Sequence, residues 1–247
     1  ITPDQYMQEY ECSFEAAILG AFYGVEMREA QDQGRISSVA YDPSLPTYTA
    51  WDLGFRDDTA IWWYQVARNE IHVIDYYAVS GASIEDIANV VMERPYHYGK
   101  HYLPHDARAK TLAAQGKSII EQLAEHLGLA NINVVPDLGV QAGIQAVRMT
   151  LPKCYFDETP TYDGVEHLRA YMREWDERTQ TYRSRPKHDQ HSHASDAFRY
   201  LAIAAQPVAK QASKGVKKIK LAIEGANYAF ALDDIWDCQN TQGGRLG

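Results

Sequence analysis

Three aspartates stand where carboxylates could do chemistry. Asp52 ends the alternating run Thr47-Tyr48-Thr49-Ala50-Trp51 and is followed by Leu53-Gly54. Asp106 ends a second run, in His101-Tyr102-Leu103-Pro104-His105-Asp106-Ala107-Arg108. Asp196 lies in Ser192-His193-Ala194-Ser195-Asp196-Ala197-Phe198-Arg199-Tyr200, which reads as the opening of a helix. Taken singly, an Asp at a strand end is commonly a turn cap. Taken together, acids placed where strands stop and a helix starts can meet at one rim of a sheet, and their repulsion must then be offset. A pair of divalent cations does this, and oxygen ligands suit Mg2+ or Mn2+. Two such ions, roughly 3.5–4 Å apart, bridge a scissile phosphate; one lowers the pKa of the attacking water and the other stabilises the leaving oxygen.

The elements that must position these acids follow from periodicity. Thr47–Leu53, Ala60–Ala67 and Ile71–Val79 alternate as strands, and the short Arg68-Asn69-Glu70 turn makes the second and third a hairpin. Helical spacing then appears at Ile84, Ile87, Ala88, Val91 and Met92, with Ser83 and Asp86 as a capping pair and Pro95 beyond. Residues 101–105 form a fourth strand, Ser118–Leu127 a helix stopped by Gly128, Ile132–Val135 a fifth strand and 139–149 a third helix. Val165–Trp175 reads as a further helix, Arg178–Arg185 as a hairpin and Ala194–Ala205 as the last helix, with Ala197, Phe198, Leu201 and Ala204 inward. The fold class is α/β: three antiparallel strands, then parallel strands reached through helices, in a mixed sheet flanked by helices. In that arrangement Asp106 falls on the carboxyl edge where open sheets bind ligands. Gly54 keeps the rim beside Asp52 open.

Composition narrows the function. The 247 residues suffice for one large domain with an appendage, and 45% apolar residues supply a core. A net charge of −9 argues against a surface coated for non-specific nucleic-acid binding, while leaving room for a local basic path. Cys12, Cys154 and Cys238 form neither a disulfide framework nor a zinc pattern and suit a reducing compartment. No apolar run could cross a bilayer and no signal peptide is evident. The first residue is not Met, so the chain is expected to be a fragment of something longer.

With these pieces in view, the chain resembles the nuclease domain of the large terminase subunit of tailed double-stranded DNA bacteriophages, in the ribonuclease-H-like (RuvC-like) superfamily. The resemblance rests on Trp51-Asp52-Leu53-Gly54 with Asp57-Asp58-Thr59-Ala60, on His105-Asp106-Ala107-Arg108, and on His188-Asp189 with Ser192 through Tyr200. Tyr10-Glu11-Cys12-Ser13-Phe14 and Gly34-Arg35-Ile36 are similar to the segment that follows the terminase motor, so that the likeness spans about residues 6–205. It implies a helical arm over 1–45 after an absent ATPase motor, a ribonuclease-H-like nuclease domain over 46–206 and a basic, polar tail over 207–247. It further implies that Asp52 bridges two Mg2+ or Mn2+ ions while Asp106 and Asp196 each complete a coordination sphere. Asp58 and His193 fit a fourth ligand; for His193 a plain helix-start role is the alternative, and Asp57 reads as a solvated turn residue. His188, Asp189 and His191 could order the loop. The implied activity is endonucleolytic cutting of concatemeric viral DNA during genome packaging, by in-line attack of water that leaves a 3′-hydroxyl and a 5′-phosphate. The implied partners are double-stranded DNA, the portal protein, the small terminase subunit and the motor domain of the same full-length chain. The implied place of action is the host cell cytoplasm rather than the mature virion.

Arg108, Arg183, Arg185 and Lys187 flank the acids and are expected to hold phosphates without reading bases, the alternative being solvated surface charge. Lys210, Lys214, Lys217, Lys218 and Lys220 read as a tether that could also track DNA. Gly116-Lys117-Ser118 resembles the end of a phosphate-binding loop, but position 111 is Thr where that loop needs Gly, so no ATPase activity is expected. Aromatics Trp51, Trp62, Trp63, Tyr64, Tyr76 and Tyr77 alternate along strands and read as packing rather than base-stacking platforms. Two other functions remain open: a junction resolvase or transposase-like enzyme of the same fold, and a non-catalytic module docking on the portal or small terminase subunit. The first prefers a four-way junction to plasmid; the second makes the acids dispensable.

Overall fold

A seven-stranded mixed sheet organises the chain, in a computed structural model that describes residues 20–54, 58–108 and 116–205. Asp57, Phe14 with its neighbours in the arm, Cys12, Cys238 and the basic tail lie outside the described residues. The strands are β1 (Ile36–Ser37), β2 (Thr47–Asp52), β3 (Asp58–Ala67), β4 (Glu70–Ser80), β5 (Tyr98–Leu103), β6 (Ile132–Val134) and β7 (Cys154–Asp157), in the spatial order β1-β7-β4-β3-β2-β5-β6. β2, β3 and β4 pair antiparallel, and β5, β6, β7 and β1 join through parallel pairings. This is the expected mixed sheet. A two-stranded hairpin, β8 (Arg173–Asp176) with β9 (Thr181–Pro186), stands apart from it.

Helices α1 (Gly24–Asp32), α2 (Ile84–Glu93), α3 (Ile119–Leu127), α4 (Val140–Thr150), α5 (Tyr162–Ala170) and α6 (192–205) cover both faces. Strand alternation divides the core accordingly. Ala60, Trp62 and Tyr64 of β3 pack with Ile144, Val165, Phe198 and Leu201 on one side. Ile61 and Trp63 pack with Ile87, Val91 and Leu123 on the other. The strand tryptophans Trp51, Trp62 and Trp63 are fully buried, as packing residues should be. Ser83 with Asp86 and Ser118 with Glu121 close reciprocal capping boxes that start α2 and α3, and Gly128 (φ 79°) ends α3. The Ser118 hydroxyl is thereby engaged at a helix start, and Lys117 pairs with Glu125. The described part of the arm packs into the same core through Phe22, Tyr23 and Met27, while β1 extends the sheet by pairing with β7. Among the described residues no helix is long and apolar enough to cross a membrane.

Two expectations need correction. The helix predicted over Val165–Trp175 ends at Ala170, and Arg173–Asp176 is the first strand of the hairpin instead. Apolar residues at positions 165, 168, 172 and 175 mimic a helical stripe, but Trp175 faces Tyr182 across the hairpin, ring centroids 4.8 Å apart. Strand β7 has no counterpart in the sequence reading; its four residues are too short for a periodic signal, and they form a strand because β4 and β1 flank them.

Beneath the rim, His101 is 1% exposed and hydrogen-bonded through Nδ1 to Thr49 Oγ1 at 2.8 Å, with Trp51 Nε1 donating to the same hydroxyl at 2.6 Å. Burial pushes its pKa down from 6.5 to about 4. The unfolded chain therefore binds a proton between those values that the folded chain refuses, so stability is held above pH 6.5 and lost as pH falls toward 4. The loss should be about 3 kcal/mol by pH 4. Urea unfolding at pH 7 and pH 4 checks this: His101→Gln should flatten the difference by that amount, and parallel behaviour of the two proteins would count against it.

Candidate functional site

The strand registers bring two of the acids to one edge. Ala50 of β2 is aligned with Tyr102 of the parallel β5, so Asp52 and Asp106 both emerge beyond the carboxyl ends of their strands. Asp106 sits in the short 3-10 turn His105–Arg108 that follows β5. Because β3 runs antiparallel to β2, its first residue Asp58 returns to the same edge, where the Ser80 hydroxyl donates to its carboxylate. Helix α6 crosses this edge and is fastened by Trp62 Nε1, which donates to the Ala194 carbonyl at 2.9 Å. That bond fixes the turn carrying His193 and Asp196.

The contact made there is direct. His193 Nδ1 lies 3.1 Å from Asp52 Oδ2, with both side chains less than one-fifth exposed. Three residues on, Asp196 Oδ1 accepts a hydrogen bond from Arg199 Nε at 3.1 Å and lies 2.7 Å from Nη2 in an ion pair. Burial raises the Asp52 carboxyl above its ordinary range and the Asp196 charge adds to this, while the His193 bond pulls it back. His193 is raised chiefly by its bond to Asp52, with the charges of Asp52, Asp58 and Asp196 contributing. Tyr200 is pushed up to about 12 by burial first and then by Asp52, Asp196 and Asp106, partly offset by Arg199. One phenol thus feels all three acids of the sequence-predicted trio.

The donor set of carboxylate oxygens and one imidazole suits Mg2+ or Mn2+, and the excess of acids at the rim favours cations. Asp52 with His193 is the pair held in contact. Among the described residues, no three His, Cys, Asp or Glu side chains stand close enough to share one ion. The predicted basic residues of the hairpin and the following loop already have acidic partners. Arg183 pairs with Asp176 at 2.9 Å and Glu174 at 3.4 Å, Arg185 Nη2 donates to Glu174 at 3.0 Å, and Lys187 is 3.3 Å from Asp189. Such exposed pairs contribute little to stability and can be exchanged for phosphate oxygens at little cost. Arg108 is exposed in the turn that carries Asp106. In the loop before α6, Asp189 caps the backbone of His191, and His188 Nδ1 lies 3.2 Å from the Ser192 hydroxyl. His191 meets His167 of α5, Nδ1 to Nδ1 at 2.8 Å. Arg199 and Tyr171 escaped the sequence reading; only the spacing of three between Asp196 and Arg199 on one helix could have signalled the first of them.

Comparison with known proteins bears on the family and the fold. The family described as Terminase RNaseH-like domain matches residues 49–205. The fold is similar to that of a large terminase from a thermophilic bacteriophage, with a TM-score of 0.54, 18% identity, 74% of this chain covered and 44% of that one. This chain therefore spans less than half of that terminase. Similarity also extends to the large terminase (g2p) nuclease domain of bacteriophage SPP1 with bound Mn, at TM-score 0.47 and 17% identity over 63% of this chain and 84% of that one. The P22 large terminase nuclease domain gives TM-score 0.47 and 16% identity over 70% and 89%. No curated protein sequence matches the chain. The family match covers well over half of the sequence and every acid of the rim, and the chain belongs to the terminase RNaseH-like domain family.

Proposed function

We propose that this chain is the metal-dependent endonuclease domain of a phage DNA-packaging terminase, hydrolysing phosphodiester bonds of double-stranded, concatemeric viral DNA. The observation that carries the reading is the buried contact between Asp52 and His193 at the carboxyl edge, with Asp196 one turn further along α6 and Asp106 beyond the parallel neighbour strand. Asp52, Asp106 and Asp196 would hold two divalent ions, with Asp58 and His193 as the further ligand candidates. When bound, those ions supply charge stabilisation at the scissile phosphate and lower the pKa of the attacking water. His193 orients Asp52 through its hydrogen bond. Arg108, Arg183, Arg185 and Lys187 bind backbone phosphates and orient the duplex. Cutting has little sequence preference, since contacts to phosphate carry no base information. The motor domain of a longer chain, the portal and the small terminase subunit are the partners in this reading, and the host cell cytoplasm is its setting.

The test is linkage between metal and folding. Mn2+ at about one hundred times its dissociation constant should stabilise the fold by about 2.7 kcal/mol, raising the melting temperature by roughly 5–10 °C for a domain of this size. The same protein should nick supercoiled plasmid with Mn2+ and leave 5′-phosphate ends. No thermal response at millimolar Mn2+, or ends bearing 3′-phosphate, would argue against the proposal; preference for a four-way junction over plasmid would favour a resolvase.

A further inference from the structure

Asp196 is held from behind by a residue with no role so far. Both Arg199 contacts, a hydrogen bond from Nε at 3.1 Å and an ion-pair contact from Nη2 at 2.7 Å, end on the same oxygen, Oδ1. The Tyr171 hydroxyl approaches that oxygen too, at 3.5 Å. The other oxygen, Oδ2, accepts no hydrogen bond among the described residues. The carboxylate is thus divided into a fixed oxygen and a spare one.

Arg199 is not a loose surface cation. It is 9% exposed, and its stem lies across Gly143 of α4, where an added Cβ would stand 3.0 Å from Cδ and 3.3 Å from Nη1. Behind it, Tyr23 from the arm stacks on Tyr171, centroids 5.6 Å apart, and the buried Tyr23 hydroxyl has no hydrogen-bond partner. An exposed pair at this helical spacing would contribute little and wander among rotamers. Here burial of the arginine stem against α4 holds the guanidinium, so it can hold the carboxylate.

We propose that Arg199 is a positioning residue that clamps Oδ1 of Asp196 and leaves Oδ2 to a divalent cation. This rests on the reading of Asp196 as a metal ligand. Groups that orient a ligand from behind typically affect metal affinity as much as activity. A purely structural ion pair would instead affect melting temperature.

The experiment titrates Mn2+ calorimetrically into the full chain and its variants, with melting curves and DNA-cleavage kinetics alongside. Arg199→Gln should weaken Mn2+ binding by roughly 10–100-fold, lowering kcat with the KM for DNA unchanged. Arg199→Lys should recover part of the loss. Gly143→Ala is the second variant, for the case where Arg199→Gln does not fold. Alanine is the better helix former, so its melting temperature should hold or rise, while the displaced Arg199 stem weakens Mn2+ binding. A folded Arg199→Gln that binds Mn2+ within about twofold of wild type overturns the clamp while the nuclease reading stands; wild-type affinity in Gly143→Ala does so if the glutamine variant is unfolded. A wild-type chain that binds no Mn2+ overturns both.

Discussion

Asp52→Asn should leave a folded protein whose Mn2+-dependent plasmid nicking has fallen about 10^3-fold, the scale reached when one preorganised charged or polar group is taken from a reacting phosphate or carbonyl. The substitution is nearly isosteric, so packing against β3 is kept; what goes is the negative charge beside His193. Stability should move the other way. Burial and the neighbouring Asp196 hold the Asp52 carboxyl above its ordinary range, which means that the folded chain resists the ionised form. A raised carboxyl costs stability once pH exceeds the unfolded value, and the neutral amide is spared that cost at pH 7. The His193 bond recovers part of it, so the expected melting temperature without metal is equal to or above wild type. Opposite signs for activity and stability mark a group kept for function rather than for folding. If Asp52→Asn cuts plasmid at the wild-type rate, the acids are dispensable and the docking-module reading takes over. If it melts well below wild type without metal, the account of Asp52 as a strained buried acid is wrong.

The sequence disclosed the parts of this molecule that long, repeated patterns specify. β2, β3 and β4 were legible because their patterns run over six to eleven residues, and the short turn at 68–69 joins β3 to β4 as a hairpin. α2 was legible twice over, from its stripe and from the capping pair Ser83 and Asp86, and α3 from its stripe and the Gly128 stop. The acids of the candidate site were visible as residues, one at a strand end and one in a helix opening. The edge strand β7 was not, because four residues carry no period and its partners, β4 and β1, are remote in sequence. Nor was the hairpin start at Arg173, where cross-strand pairing with Pro186 overrides a spacing that suits a helix. Partnership at the site is the other thing that only packing decides. The order of residues offers only a spacing of three for Arg199 turning onto Asp196, and no signal that Arg183 and Arg185 meet Asp176 and Glu174 across the hairpin.

Gly164→Ala should be the most destabilising glycine-to-alanine change among the described residues. A Cβ there would stand 2.3 Å from Cη2 of Trp62 and 2.7 Å from Cγ of Tyr76, inside the distance at which real atoms meet. Replacing glycine in a helix by alanine gains up to about 1 kcal/mol of intrinsic propensity, but overpacking a filled core costs about 3 kcal/mol or more when the neighbours cannot yield. Trp62 cannot yield freely. It is fully buried, its Nε1 is committed to the Ala194 carbonyl at 2.9 Å, and its ring meets Phe198 edge-on with centroids 5.2 Å apart. By contrast, a methyl group at Gly143 would stand no closer than 3.0 Å to any neighbour, the Arg199 side chain. With overpacking dominant, a net loss of about 2 kcal/mol or more should lower the melting temperature by roughly 4–8 °C. The damage should also reach the rim, because Ala194 lies between His193 and Asp196 on α6, so Mn2+ stabilisation should shrink with it. Trimming the ring in Gly164→Ala with Trp62→Phe should restore part of the loss, giving a favourable coupling between the two changes. Additive effects, or a Gly164→Ala protein that melts with wild type, would mean that α5 shifts along the sheet more easily than this packing allows.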